Sequence, residues 1–304
     1  MLSLSDAINR KLLFIQGKGG VGKTLFSKAL AEIRTEQLGL SSGKSVLLVQ
    51  IDDPREPRHD IVKNPAGYFT LNATVRESSL EYAGLKLKSQ KLARLLLDHK
   101  VINYLVEAAP GIKELSLIGK IWYETRNFST VIVDMPSTGH ALTLFQAFRN
   151  WADLFENSPI AKDSAEIEQD ISNPEFAAHL LMALPEEMPL TESAEMKGEL
   201  EKLFKNFSSR LVVNKITEKD RPGLSKSMPN ALEASGNALP YSRTATEYFS
   251  RRRELEAFHL KTVEKENPVR ISNFLPGSDL ISQFKAEIRA DLLAHDKLRA
   301  SATP

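Results

Sequence analysis

Short apolar runs recur along the chain and predict a parallel α/β sheet. Three are clear: residues 12–16, 45–51 and 130–134. Runs of this length are too short for a helix and are typical of strands buried on both faces. Weaker runs with the same character are at 177–184, 210–214 and 269–275. After the first run, apolar and small residues from Leu25 to Ile33 follow helical spacing, so the chain opens as strand, glycine loop and helix.

Two stretches between the predicted strands have helical periodicity. The first runs from Leu85 to Arg126 and is broken by Pro110-Gly111. The second runs from Leu142 to Asn173 and becomes polar around residues 162–170. We interpret both as insertions into one α/β domain that spans residues 1–304. They predict a helical subdomain, residues 76–128 and 146–195, beside the strand ends of a mostly parallel, doubly wound sheet.

The composition is that of a globular protein. Of the 304 residues, 42% are hydrophobic and 26% are charged, and the net charge is +1. No whole-protein field attracts DNA or an anionic membrane, so we expect no nucleic-acid partner. The chain has no cysteine, which excludes disulfides and thiolate metal sites. No apolar run approaches the roughly 20 residues that cross a bilayer. We therefore expect a cytoplasmic protein without an integral membrane segment.

The glycine loop after the first strand matches the phosphate-binding pattern G-x-x-x-x-G-K-[ST]. Its glycines allow the backbone N–H groups to point at phosphate oxygens, and the following helix N-terminus adds a favourable dipole. Lys23 is placed to reach the β- and γ-phosphates, and the Thr24 hydroxyl to ligate Mg²⁺. The sequence thus predicts ATP and Mg²⁺ as cofactors, bound by Gly17, Lys18, Gly19, Gly20, Val21, Gly22, Lys23 and Thr24.

Lys18 adds a second lysine to this loop. With it, the loop resembles the deviant Walker A group, K-G-G-x-G-K-[ST], which includes the ArsA and Get-pathway ATPases and the MinD/ParA relatives. In that group the early lysine crosses a dimer interface and touches the partner's nucleotide. The resemblance therefore implies that Lys18 acts in trans, within a homodimer or a heterodimer with a related ATPase.

A second segment narrows the resemblance to the ArsA/Get branch. Residues 131–140, VIVDMPSTGH, look like that branch's D-T-A-P-T-G-H segment. By this resemblance Asp134 holds Mg²⁺ through water, and Gly139 senses the γ-phosphate through its backbone N–H. His140 taken alone is equally consistent with a core histidine. The resemblance covers most of residues 11–276.

The same resemblance assigns two further residues. Asp53-Pro54 matches the first switch of the branch, so Asp53 is implied to orient the attacking water; Asp52 replaces it if the register slips by one. Asn214, in the strand 212–215, matches the asparagine that reads adenine. The chain also departs from the pattern: residues 55–57, Arg-Glu-Pro, stand in place of A-H-N, and Leu25 in place of a second threonine. These departures predict slow or altered hydrolysis.

Two functions follow from these motifs. The first is an ArsA-like dimeric ATPase that couples its nucleotide state to binding or delivery of a protein client at the helical subdomain. The alternative is a weakly hydrolysing, MinD/ParA-like scaffold subunit that pairs with a related ATPase. A classical arsenite role is disfavoured because it relies on cysteine thiolates. The C-terminal run Leu280, Phe284, Ile288 and Leu292 predicts a helix that packs against the sheet.

Overall fold

The fold is described from a computed structural model. It covers residues 2–39, 45–54, 59–89, 91, 94–95, 111–154, 159–204, 206–217, 242–274 and 279–302. Leu92, Leu96, Ile102, Leu105 and Val106, whose spacing predicts helix in the first insertion, lie outside the described residues, as do Arg55, Glu56 and Pro57.

The described strands form one sheet of eight, in the order β3-β4-β2-β5-β1-β6-β7-β8. All neighbours are parallel except β3 and β4. The strands are β1 (Leu12–Gly17), β2 (Val46–Ile51), β3 (Val62–Lys63), β4 (Phe69–Ala73), β5 (Thr130–Asp134), β6 (Ala177–Ala183), β7 (Ser209–Ile216) and β8 (Val269–Ser272). The mostly parallel α/β fold predicted from the sequence is confirmed.

Six of the strands were predicted, and the short edge strand β3 and its neighbour β4 were not. Strand β4 is interrupted by Thr70 and Asn72, so it has no continuous apolar run. It pairs in parallel with β2, from Leu47 opposite Phe69 to Ile51 opposite Ala73. Strand β1 lies between β5 and β6, so its end is near the middle of the sheet edge.

The helices begin and end as follows: α1 (Leu4–Ile8), α2 (Lys23–Leu38), α3 (Val75–Leu87), α4 (Ile112–Glu124), α5 (Thr138–Leu154), α6 (Pro159–Ser172), α7 (Glu187–Leu203), α8 (Ser242–Thr262) and α9 (Leu280–Ala302). A short 3₁₀ turn covers Glu264–Glu266. Gly111, in the left-handed region at φ 84°, caps the start of α4. This agrees with the predicted break at Pro110-Gly111. In the part of the chain that is described, no helix is both long and apolar enough to cross a bilayer.

The two faces of the sheet bury separate cores, because side chains alternate along each strand. Along β1, Leu12 and Phe14 join one cluster, while Leu13 and Ile15 join the other. The first cluster is covered by α4, α5, α6 and α7. The second is covered by α1, α2 and α9, where Phe284 and other residues of the C-terminal run are buried. The predicted packing of the C-terminal helix on the sheet is thus confirmed.

The predicted subdomain range 146–195 also contains the strand that the sequence predicted at 177–184. Strand β6 lies inside this range and pairs with the central strand β1, since its seven residues are all buried. Helices α5 and α6 therefore precede β6, and α7 follows it as a separate helix.

Polar contacts join the inserted helices to one another. The Tyr82 hydroxyl on α3 donates to Asp163 Oδ2 of α6 at 2.6 Å. The Trp122 indole on α4 donates to Asp170 Oδ2 of α6 at 2.7 Å. Their division from the sheet as a subdomain stays a prediction.

Candidate functional site

The glycine loop leaves β1 at Gly17 and enters α2 at Lys23. Gly17 has φ 143°, and a Cβ there would lie 2.2 Å from the carbonyl oxygen of Met182 on β6. Gly22 has φ 99°, and its Cβ would lie 2.4 Å from Nδ2 of Asn214. These two positions therefore accept only glycine without a rearrangement of the loop.

Lys23 folds back over the loop. Its Nζ donates to the carbonyl oxygens of Gly17 at 2.8 Å and Lys18 at 3.0 Å. Burial lowers the pKa of Lys23, and the carboxylate of Asp134 opposes this shift. The ammonium is thus held at the mouth of the loop by neutral oxygens, which an anion can replace as its partners.

Thr24 and Asp134 meet at the ends of different elements. The Thr24 hydroxyl, in the first turn of α2, donates to Oδ2 of Asp134 at the end of β5, at 2.6 Å. Burial raises the pKa of Asp134, against the Thr24 hydrogen bond and the Lys23 charge, and the charge of Asp53 adds to the rise. Within the described part of the chain, Oδ1 of Asp134 is buried without a hydrogen-bond partner.

These oxygens fit a magnesium ion. A hydroxyl and a carboxylate are hard donors, and Mg²⁺ is usually held by one or two such groups together with water and substrate phosphates. The unpartnered Oδ1 of Asp134 provides an acceptor for a bound water. Among the described residues no cluster of three or more His, Cys, Asp or Glu side chains forms a metal cage.

Lys18 is exposed beside the loop and is paired within its own chain. Its Nζ lies 2.6 Å from Oε1 of Glu192 on α7. The pair borders an open cavity of about 520 Å³ between the start of α5, with Thr138 and Gly139, and the acidic face of α7. Lys18 and Gly139, two residues predicted from separate motifs, thus line one space.

Asp53 is anchored on three sides just after β2. Asn72 accepts a hydrogen bond from its backbone N–H at 3.0 Å and donates to its carbonyl oxygen at 2.9 Å. The Gln50 amide donates to its carboxylate Oδ2 at 3.0 Å. Asp52, in contrast, is exposed in the left-handed region at φ 46°. Asp53 is thus held in place by side chains of β2 and β4, and its charge acts on Asp134; the choice between Asp53 and Asp52 stays a prediction.

Asn214 is buried at the end of β7, where its side chain supports the loop. Its Nδ2 donates to the carbonyl oxygen of Val21 at 2.8 Å, and its Oδ1 accepts from the N–H of Lys215 at 2.8 Å. His140 is exposed on α5, so it is not a core histidine.

The structure also shows residues that the sequence analysis did not assign. Three such residues contact predicted site residues from outside the motifs. Asn72 and Gln50 contact Asp53, and Glu192 contacts Lys18. Gln50 had a sequence signal, since it is a polar residue within the otherwise apolar segment 46–51. A buried pair, Gln16 and His179 at 2.7 Å, lies directly below the loop.

Comparisons with known proteins bear on the family of the chain. The family model for anion-transporting ATPases matches residues 10–163, half of the chain. A protein of Aquifex aeolicus named as an arsenical pump-driving ATPase is 31% identical over 161 residues, which are 48% of this chain and 52% of that protein. The ATPase GET3 of Meyerozyma guilliermondii is 22% identical over 275 residues, 74% of this chain and 78% of that protein.

A third relative is the arsenical pump-driving ATPase of Escherichia coli, which is 29% identical over 236 residues. The match covers 67% of this chain and 39% of that protein. The chain thus spans about half or less of the length of several relatives that it matches.

Proposed function

Because the chain belongs to the anion-transporting ATPase family, we propose that it binds Mg·ATP at residues 17–24 and hydrolyses the β–γ phosphate bond. The observation that carries this proposal is the convergence of Lys23, Thr24 and Asp134 at the carboxyl ends of β1 and β5. A lysine, a hydroxyl and a buried carboxylate in this arrangement are the protein's part of a P-loop site.

Each of these side chains has one role in the proposal. The loop N–H groups and Lys23 bind the β- and γ-phosphates, and Lys23 exchanges two carbonyl partners for phosphate oxygens. Thr24 and Asp134 hold Mg²⁺, which when bound neutralises phosphate charge. Asp53 orients the attacking water. Catalysis of this kind is mainly positional and electrostatic, since the protein supplies no covalent step.

Asn214 and Gly139 complete the nucleotide contacts. A primary amide has two N–H donors, and Asn214 gives one of them to Val21. We propose that the second contacts adenine. Gly139, exposed near the start of α5, offers its backbone N–H to the γ-phosphate, where the helix dipole also favours negative charge.

The enzyme works in this proposal as a dimer that closes on ATP. Lys18 is exposed and reaches beyond its own loop, which suits a contact with the nucleotide of a second subunit. Closure around two nucleotides then changes the helices next to the site, and hydrolysis reverses the change. A protein client bound by the inserted helices would follow this cycle.

A second function stays open because of the departures at Leu25 and residues 55–57. A subunit with altered switch residues can bind ATP tightly while hydrolysing it slowly, and can serve as a scaffold that pairs with a related ATPase. Turnover well above background favours the client-coupled ATPase. Tight binding without turnover, restored by a related partner, favours the scaffold.

The test is the solution mass by light scattering without nucleotide, with Mg·ADP, and with a slowly hydrolysed Mg·ATP analogue, together with phosphate release. We expect a dimer that forms or compacts only with the ATP analogue. A monomer in every state contradicts the homodimer and directs the search to a related ATPase. Absence of ATP binding contradicts the proposal as a whole.

A further inference from the structure

The starting observation is the double contact between Asn72 and the backbone of Asp53. Asn72 is 5% exposed, so its amide is withdrawn from water. It accepts from the N–H of Asp53 and donates to the C=O of the same residue, at 3.0 and 2.9 Å. With both backbone groups of Asp53 held by one side chain, neither flanking peptide can rotate without breaking a hydrogen bond to the buried Asn72.

This contact occurs where the chain leaves the sheet. The pairing of β2 with β4 ends at Ile51 opposite Ala73, and Asp52 then turns with φ 46°. After this turn the Asn72 side chain, in place of a backbone group of β4, forms the hydrogen bonds with the backbone of Asp53. Gln50, which pairs with Asn72 in the register, binds the carboxylate of Asp53 at 3.0 Å. Both the backbone and the side chain of Asp53 are thus fixed from the strands.

Asn72 also has a neighbour on the side of the inserted helices, His59. Its Nδ1 lies 3.0 Å from the carbonyl oxygen of Asn72 and 3.1 Å from the backbone nitrogen of Thr74. Nδ1 donates to Asn72 when it carries a proton and accepts from Thr74 when it does not. In both tautomers the imidazole is hydrogen-bonded to the end of β4. Its Nε2 lies 3.6 Å from Oε1 of Glu81 on α3.

From Glu81 the polar contacts continue into α4. The ammonium of Lys120 pairs with the Glu81 carboxylate and, at 2.7 Å, with Glu124. Lys120 and Glu124 are 8% and 3% exposed. A buried ammonium cannot leave its carboxylates without a large desolvation penalty. Displacement of one member of this cluster is therefore expected to shift the others.

We propose that Asn72 is a positioning residue for Asp53, and that His59 and Glu81 join this position to helices α3 and α4. This inference rests on the proposed function, in which Asp53 orients the attacking water. It identifies a physical connection between the reacting end of the site and the inserted helices. A movement of Asp53 on hydrolysis reaches α4 through contacts of 3.6 Å or less.

The first measurement separates positioning from folding. Asn72→Ala is compared with Thr70→Val, a polar deletion two residues earlier on β4, and with Asp53→Asn. Phosphate release is expressed per bound ATP analogue, so that unfolded protein does not count. We expect Asn72→Ala to lower the rate per site about 10-fold or more, with the nucleotide Kd within about twofold, and Thr70→Val to change neither.

A rate per site in Asn72→Ala equal to wild type, with Asp53→Asn strongly impaired, overturns the positioning role while leaving the proposed function intact. Full activity of Asp53→Asn overturns the role of Asp53 and that of Asn72 together. Absence of hydrolysis in the wild type is a failure of the proposed function alone, because the second measurement does not need turnover.

The second measurement is hydrogen exchange of residues 112–124 with Mg·ADP and with the ATP analogue. We expect the two states to differ in wild type and in the control Glu114→Gln, a substitution on the first turn of α4. In Glu81→Gln the difference should be lost, although both nucleotides still bind. A difference of wild-type size in Glu81→Gln overturns the connection to the helices.

Discussion

The side chain of Lys18 is paired with Glu192 of its own chain, with 2.6 Å between Nζ and Oε1. In the structure described, the lysine that we propose to contact a partner's nucleotide therefore forms an ion pair within its own subunit. The carboxylate is 29% exposed and the lysine 45%, so the pair is weak enough to exchange for a phosphate. Closure of the proposed dimer would therefore compete with a contact inside each subunit.

Substitutions of Lys18 and of Glu192 should have opposite effects on closure of the proposed dimer. Lys18→Ala should leave ATP binding intact and remove the closed dimer seen by light scattering. Glu192→Gln should release Lys18, and because an exposed ion pair contributes at most about 1 kcal/mol, closure should occur at up to about fivefold less ATP analogue. Glu195→Gln, on the same face of α7, is the control. An unaffected closed dimer in Lys18→Ala would count against the trans contact.

Lys23→Ala should nearly abolish nucleotide binding. The ammonium is expected to make charge-assisted hydrogen bonds to phosphate oxygens, each contributing about 1.5–3 kcal/mol, so affinity should fall about 100-fold or more. Titration with a fluorescent ATP analogue measures the effect. Lys265→Ala, an exposed lysine far along the chain, should bind as wild type does. Retention of affinity in Lys23→Ala would place the phosphates elsewhere.

Asp134→Asn should weaken the magnesium dependence. The amide oxygen still accepts the Thr24 hydrogen bond, but the charge that holds the ion is gone. We expect the Mg²⁺ concentration for half-maximal phosphate release to rise about 10- to 100-fold, with ATP binding in EDTA unchanged. An unaltered Mg²⁺ titration would remove Asp134 from the metal site.

Lys120→Met should destabilise the fold. It leaves the carboxylates of Glu81 and Glu124 without their shared cation, and loss of one partner from a buried ion pair costs about 3–5 kcal/mol. Urea denaturation should show this loss as a lower midpoint. The control Lys202→Met removes an exposed pair with Glu199 and should change stability by less than about 1 kcal/mol. Equal midpoints for both variants would contradict the assignment.

His179 should make stability depend on pH. Burial lowers its pKa from 6.5 to about 3, and its ring packs against Phe14, Phe145, Phe204 and Phe207. Below pH 6.5 the unfolded chain takes up a proton that the folded chain does not. The stability is therefore complete above 6.5 and is lost as the pH falls towards 3, at up to about 1.4 kcal/mol per pH unit.

The measurement is urea denaturation at about pH 7.5, 6 and 5 for wild type and His179→Asn, whose amide oxygen still accepts from Gln16. Other acidic groups affect both proteins alike. Between pH 7.5 and 5 the wild type should lose about 2 kcal/mol more than the variant. Parallel pH curves would show that His179 does not titrate on unfolding.

The sequence predicted what depends on local pattern. The runs at 12–16 and 130–134 are buried strands, and residues 18–22 form the loop between β1 and α2. Both could be predicted because continuous apolar runs and glycine spacing are features of neighbouring residues in the sequence. Strand β4 was missed because Thr70 and Asn72 interrupt it. Its two polar residues are explained by their contacts with Val62 and Asp53. These residues become neighbours only when the strands are ordered in the sheet.

The same limit applies to the site. The resemblance of separate motifs placed Lys18, Asp53, Asp134 and Gly139 in one site, and the structure brings them to one edge of the sheet. The resemblance could not predict contacts such as that of Glu192 with Lys18, because this contact depends on how α7 packs. Nor could the motifs show that Asn214 donates to Val21, since 193 positions separate the two residues in sequence.

The strand order has a consequence for how this chain can change. The insertion between β4 and β5 leaves the sheet on one side of β2 and returns on the other. Because both of its ends are fixed by the ladder, extra length there adds only a logarithmic entropy cost. The crossover can thus change in length without moving the register of β1, where the glycine loop begins. Residues 74–129, which form this insertion, can therefore vary in length while the sheet edge that carries the glycine loop stays unchanged.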